Sequence, residues 1–351
     1  MKAHLIYNAH AGQVDERADL ERAVHYLEEQ GWQVIWRETH GPGDAVTYAR
    51  EAAARGCDVA IAAGGDGTVG EVAHGLAGSG TALGVLPVGT SNVWAKEVGI
   101  PSAPYFLHPQ VRASLGLGAP WLLDAAQVLV EGRRVRVDLG RVNGRHFLMW
   151  AGVGLDAKVA EEVEHNPEAK RRLGRLAFYV AGLYTVMAYR GVRAHVWVDG
   201  RRVTRRLIVA VVSNIQLYGG LVRISPLAKL DDGLLDVCIF QGSGVLSTVR
   251  HLATVLIGQH LHDPRVDFYE ARRVEIRPAE PLPIHVDGDF LGHTPAVVEV
   301  VPQALTVIVP VNASSHLFRQ EERAVPEPRG LLPWLAGFAP YDPKRRRASK
   351  R

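Results

Sequence analysis

The chain has 351 residues, enough for two domains that each bury a core, and 47% hydrophobic with 22% charged residues is the balance of a folded protein rather than a disordered one. A formal charge of +3 gives no argument for nucleic acid, and the two cysteines, Cys57 and Cys238, are too far apart in sequence for a C-x-x-C metal or redox motif. Their separation fits a reducing cytoplasm, the short apolar run of MKAHLIYNAHAG is unlike a secretory signal, and no stretch approaches the roughly 20 apolar residues that cross a bilayer.

Taken in chain order, the first hundred residues alternate two periodicities. AHLIY (3–7) reads as a buried strand. DERADLERAVHYLEEQ (15–30) follows as a helix with Leu20, Val24 and Leu27 on one face, stopped by Gly31. WQVIW, a helix from Gly43-Asp44, DVAIAA (58–63), a helix from Thr68, ALGVLP (82–87) and a helix from Ser91 continue the pattern. Such β-α order predicts an α/β, Rossmann-like parallel-sheet domain over residues 1–120.

Beyond the proline-bearing stretch 100–110 the runs become short and strand-like. QVLV, VRVDLG, HFLMWAG, RAHVWVDG, RRLIVAVVSN, LLDVCIF, RVEIRP, PIHVDG, AVVEVV and ALTVIVP predict a β-rich second domain over 121–312, with helical insertions near 156–189 and 244–260. Residues 313–351 read as a tail. There Leu331, Leu332, Trp334, Leu335 and Phe338 precede a run of Lys344, Arg345, Arg346, Arg347, Lys350 and Arg351, a combination suited to an anionic membrane surface.

Chemistry concentrates in turns. Gly64-Gly65-Asp66-Gly67-Thr68 follows a strand and opens a helix, where glycines admit a phosphate to unpaired N–H groups at a positive helix end. It lacks the G-K-[ST] of a Walker loop and the spacing of G-x-G-x-x-G. A second strand-to-turn element, LPVGTSN (86–92), lies one β-α unit later, so both turns are expected at the carboxyl edge of the sheet, together with the first-strand turn Asn8 to Gly12.

These motifs, with AGVGLDA (151–157), the P-x-A-x-x-D-D-G-L-L-D run (226–236) and HVDGD (285–289), occur in the order found in the diacylglycerol kinase catalytic family, which this chain resembles over about residues 3–310. That family holds bacterial lipid kinases and eukaryotic sphingosine and ceramide kinases, with an NAD kinase-like first domain. The resemblance implies an ATP- and Mg2+-dependent lipid kinase, peripheral to the membrane and working on a lipid substrate at its surface, whose β-rich domains often pair as a homodimer. It implies an ATP site lined by Asn8, His10, Gly12, Thr39, Gly64, Gly65, Asp66, Gly67, Thr68, Glu71, Thr90 and Asn92. It implies a structural Mg2+ near Asp232 with main-chain oxygens at Lys229 and Leu234. It also implies catalytic roles for Asp66, toward a second Mg2+, and for Asp287 as the base, at a strand end exposed to a cleft.

Four positions depart from the family pattern: Ala9 where Asn-Pro is common, Val93 where many members have Asp, Gly70 in place of Asn, and Asp289 in place of Glu. The alternatives are an NAD kinase-like enzyme, which shares the GGDG turn, and a non-catalytic nucleotide- or lipid-binding regulator. Retention of Asp66, Asp232 and Asp287 speaks against decay, and HVDGD against NAD kinase.

Overall fold

The computed structural model describes residues 1–12, 14–104, 111, 115, 118–164 and 191–319. Most of the 156–189 insertion and the apolar and basic tail segments therefore lie outside the described residues.

The first sheet comprises β1 (Lys2–Tyr7), β2 (Gln33–Glu38), β3 (Val59–Gly64) and β4 (Ala82–Pro87), paired in parallel in the order β4-β3-β1-β2. Every residue of β3 and β4 is buried, as continuous apolar runs require when helices cover both faces. The connecting helices are α1 (Arg17–Glu29), α2 (Asp44–Ala54), α3 (Asp66–Leu76) and the short α4 (Val93–Val98). Leu20, Ala23, Val24 and Leu27 form the buried stripe of α1.

QVLV, expected as a strand, is instead the end of helix α5 (Trp121–Glu131). Leu122, Ala125, Ala126 and Leu129 recur at helical spacing and are buried against α1 and β4, a pattern that a four-residue window hides. The Trp121 indole N–H donates to the Pro87 carbonyl at 3.1 Å, which fixes the helix beside the end of β4.

The β-rich part runs through β5 (Arg133–Val142), β6 (Arg145–Phe147), β7 (Trp150–Gly154), helix α6 (Leu155–Glu164), β8 (Val192–Val198) and β9 (Arg201–Ser213). It continues through β10 (Leu217–Tyr218), β11 (Val222–Arg223), β12 (Leu235–Gln241), helix α7 (Gly244–Leu256), β13 (Val266–Ala271), β14 (Arg273–Pro278), β15 (Pro283–Val286), β16 (Asp289–His293) and β17 (Ala296–Val309). The antiparallel order is β16-β15-β7-β9-β8-β14-β17, with β12 joining β9 to β13 and β5 pairing with β17 and β6. Val153, Val196, Ala210, Val237, Ile276, Ile284 and Val298 fill the core of this part.

AVVEVV and ALTVIVP, expected as two strands, are the single strand β17. Its register against β5 shifts between Val301 and Leu305, around Gln303 at φ +48°. Beyond that irregularity Val307 pairs with Leu83 of β4, so the last strand closes the edge of the first sheet. Asp138 sits fully buried within β5 and takes the Gln303 N–H at 2.7 Å and the Gly233 N–H at 2.6 Å.

Candidate functional site

Three turns meet at the carboxyl edge of the first sheet, and their glycines are required by how closely they meet. A Cβ on Gly89 would lie 2.3 Å from the Gly65 Cα, and one on Gly12, at φ +84°, would lie 2.6 Å from the Val88 carbonyl oxygen. No side chain fits either place. The Asn8 side-chain amide donates to Thr68 Oγ1 at 3.1 Å, while its own oxygen accepts the His10 N–H at 3.0 Å. Asn92, left-handed at φ +48° and buried, donates to the Gly89 carbonyl at 2.7 Å.

Thus Asn8, Gly12, Gly64, Gly65, Asp66, Gly67, Thr68 and Asn92 form one cluster around the first turn of α3, with Thr90 half-buried in the same loop and His10 exposed beside it. The N–H groups that open α3 supply the partial positive charge a phosphate needs there. Thr39 is buried at the end of β2, where its N–H meets the Tyr7 carbonyl at 2.8 Å. The Glu71 carboxylate takes the Gly43 N–H at the start of α2 at 2.9 Å.

Asp66 ties two turns together. Its Oδ1 accepts the Trp94 N–H at 3.2 Å, in the first turn of α4. Burial raises its pKa above the usual carboxylate range, against the main-chain donors of Trp94, Val93 and Asn92 and the charge of Lys96.

The β-rich part meets α3 along a single helical face. Gly67, Gly70 and His74 recur at i, i+3 and i+7, and each faces one residue of the opposite part. A Cβ on Gly67 would come 3.6 Å from Asp289 Oδ1, and one on Gly70 would come 2.9 Å from Asp287 Oδ2. The His74 and His146 rings meet through their Nδ1 atoms at 3.2 Å. Any side chain at position 70 would therefore meet the Asp287 carboxylate.

Asp287 does not stand exposed in a cleft, as its place at a strand end led one to expect: its relative exposure is 6%. Asp287 and Gly288, at φ +51° and +95°, form the two-residue turn between β15 and β16, with the positive angles of a type I′ hairpin. The Asp287 Oδ1 accepts the N–H groups of Met149 at 2.9 Å and Trp150 at 3.0 Å, and Oδ2 that of Leu148 at 3.0 Å. Burial lifts its pKa to about 6, although these three donors favour the ionised form. Asp289 is the half-exposed member of the hairpin, with Arg145 at 3.6 Å from its Oδ2.

A polar cluster beside this hairpin gave no separate signal in the sequence. Asp156 Oδ2 lies 3.0 Å from His285 Nε2 and accepts the Tyr218 hydroxyl at 2.8 Å. Tyr218 packs on Trp150 at a ring separation of 5.0 Å. Asp156 falls within the AGVGLDA motif and His285 within HVDGD, but Tyr218 lies in neither.

Asp232 lies in a separate loop, between β11 and β12. Its Oδ1 takes the Leu234 N–H at 3.1 Å, and burial, then the neighbouring charges of Asp138 and Glu270, raise its pKa. Among the described residues no three His, Cys, Asp or Glu side chains converge to hold a metal ion. Mg2+ at this loop would thus rest on one or two carboxylates, the Lys229 and Leu234 carbonyls and water, a donor set that fits a hard cation. Lys229 also lines a cavity of about 410 Å3 with Lys96, Glu97, Arg223 and His316.

Glycine turns at the carboxyl edge of a parallel sheet, faced by a carboxylate-bearing hairpin from a β-sandwich, define a two-part kinase of the NAD kinase-like fold. Residues 2–142 match the family model described as "Diacylglycerol kinase catalytic domain", and residues 150–309 match "YegS C-terminal NAD kinase beta sandwich-like domain". A diacylglycerol kinase of Bacillus subtilis (strain 168) is 29% identical over 318 residues, covering 90% of this chain and 99% of that protein. One from Staphylococcus carnosus (strain TM300) is 26% identical over 324 residues, covering 92% and 99%. A crystal structure from Bacillus anthracis str. Sterne has a TM-score of 0.71 at 26% identity, covering 89% of this chain and 98% of that one. The two matched models follow one another along residues 2–309, and over that span the chain is similar to the diacylglycerol kinase catalytic-domain family.

Proposed function

We propose that this chain is a lipid kinase that transfers the γ-phosphoryl group of ATP to a hydroxyl of diacylglycerol or a related lipid alcohol. The observation that carries the reading is the juxtaposition at Gly67: the phosphate-ready first turn of α3 on one side, and Asp289 of the facing hairpin 3.6 Å from where a Cβ would be. The names of its relatives support the lipid acceptor.

Phosphoryl transfer needs alignment, charge neutralisation and late acceptance of a proton. Main-chain N–H groups at the start of α3 and the turns of Gly12 and Gly89 would bind phosphate oxygens. Asp66 holds the α4 turn against that cradle. The geometry favours Asp289 over Asp287 as the proton acceptor, because both Asp287 oxygens already serve main-chain donors while Asp289 is half-exposed beside the cradle. Asp287 then acts as a positioning residue that anchors the hairpin to Leu148, Met149 and Trp150. Mg2+, when bound, would supply charge neutralisation on the nucleotide phosphates; Asp66 is the cradle residue that would hold it, and Asp232 the residue that would hold a separate structural ion.

The test is a screen with γ-labelled ATP against diacylglycerol, phosphatidylglycerol and sphingoid bases, run beside Asp289→Asn. Labelled lipid that falls by about two to four powers of ten in the variant supports the reading. Nucleotide binding with no lipid labelled would leave a non-catalytic regulator.

A further inference from the structure

Helix α7 is turned the wrong way round for a helix lying against water. Its buried side holds Ser247, Thr248, His251 and Val255, three of them polar. Its outer side, with the residue just beyond it, is Leu246 at 85% exposure, Ile257 at 68%, Leu256 at 64%, Leu252 at 57% and Val249 at 51%. Surface helices normally show the reverse arrangement, and while single exposed apolar residues are ordinary, a contiguous stripe marks a contact surface. Two of the inward polar side chains are held where they are: His251 Nε2 pairs with the Gln241 carbonyl at 2.7 Å, and Thr248 donates to the Gly244 carbonyl at 3.3 Å. The helix is therefore seated in its proper orientation, with the apolar side left for something else.

The charge around the stripe says what that is. Residues 241–262 contain no Asp or Glu. Exposed Arg206 and Arg265 border the start of the helix, their carbonyls accepting the Gly242 and Gln241 N–H groups at 2.9 Å each. Exposed Arg250 lies on the helix itself. The next carboxylates along the chain, Asp263 and Asp267, are buried and already paired, with Arg250 at 2.7 Å and Arg205 at 2.6 Å. An apolar stripe edged by guanidinium groups complements an anionic lipid surface, whereas a second copy of the same patch would bring arginines against arginines. Among the described residues no helix is long and apolar enough to cross a membrane, so contact of this kind is made from the surface.

We infer that α7 is the face by which the protein seats on an anionic bilayer, its leucines and valines at the boundary between headgroups and acyl chains. The inference rests on the lipid-kinase reading only for why a bilayer should be visited, since the acceptor lipid resides there.

The test is cosedimentation of the full chain, without nucleotide, with vesicles of phosphatidylcholine and phosphatidylglycerol. Leu246→Asp/Leu252→Asp should lower the partition coefficient by about a hundredfold, as burying each leucine is worth about a tenfold change or more. Arg265→Gln should weaken the salt sensitivity. Sedimentation velocity of the same samples should show an unchanged oligomeric state. Unaltered partitioning of the double variant overturns the inference, as does a variant that dissociates an oligomer while binding vesicles normally. So does binding that disappears only on deletion of residues 330–351. Phosphorylation of a short-chain diacylglycerol in detergent micelles keeps the two readings apart: labelled micellar lipid without α7-dependent vesicle binding removes the docking face alone, and vesicle binding with no lipid labelled removes the kinase alone.

Discussion

The contrast between Asp287 and Asp289 is decided by replacing Asp287 with Asn and reading stability and turnover together. The Asp287 pKa is lifted to about 6 by burial, from a usual value of about 4. A raised pKa means that the folded protein resists the ionised form, so the associated stability is fully present below pH 4 and is lost as pH rises through 6. Two units correspond to about 3 kcal/mol in total, of which about 2 kcal/mol falls between pH 4.5 and 7.5. Asparagine does not titrate. Wild type should thus lose about 2 kcal/mol relative to the variant across that window, measured by urea denaturation at each pH. A uniform cost of about 1–3 kcal/mol should accompany this, because the Asn amide cannot accept the third main-chain N–H. At pH 7.5 the folded variant should keep kcat within about tenfold, while Asp289→Asn loses about two to four powers of ten. A flat difference in stability with pH, together with a kcat loss confined to Asp287→Asn, would refute this reasoning and return the base to Asp287.

Further outcomes follow from contacts at the cradle, the interdomain face and the cation loop. Gly89→Ala drives a Cβ to 2.3 Å from the Gly65 Cα, so ATP affinity by titration calorimetry should fall at least about tenfold, the usual scale for a displaced phosphate contact; unchanged affinity would move the nucleotide elsewhere. Gly70→Asn restores the family's common residue but puts its Cβ 2.9 Å from Asp287 Oδ2, and should cost about 1–3 kcal/mol in thermal unfolding. A variant as stable as wild type would show that the hairpin yields. Asp232→Ala should abolish any rise in melting temperature on adding Mg2+, since an ion stabilises only the fold that presents its ligands; an identical Mg2+ response would remove the cation from that loop.

The parallel sheet was legible because β3 and β4 are unbroken apolar runs ending in glycine turns, signals that are local. The cradle was legible for the same reason: Gly65, Thr68 and Gly89 lie within two consecutive β-α units. Contacts between distant segments were not. Nothing in the local pattern around Asp287 reveals that Leu148, Met149 and Trp150 direct their N–H groups at it, and an Asp-Gly turn reads alike whether its carboxylate meets water or a strand. VDFYEA (266–271) is not legible as a strand because Asp267 and Glu270 break its apolar alternation; Asp267 is buried where Arg205 pairs with it and the Gln241 amide donates to it. Likewise α5 was read as a strand because the stripe of Leu122, Ala125, Ala126 and Leu129 is visible only over three turns.

Strand β17 has a consequence for how the chain is made. Its pairing with β4 means that the edge of the first sheet is closed by residues synthesised roughly 220 positions after that sheet's own last strand. At ordinary translation speeds the open edge waits on the order of 10–40 s for its partner. During that interval the newborn first domain carries an unpaired, fully buried-type strand of the sort that recruits other chains. Helix α5, which is translated soon after β4 and packs on it, stands beside that strand until β17 emerges. A chain cut between the two matched segments would retain the glycine turns and lose the strand that closes their sheet.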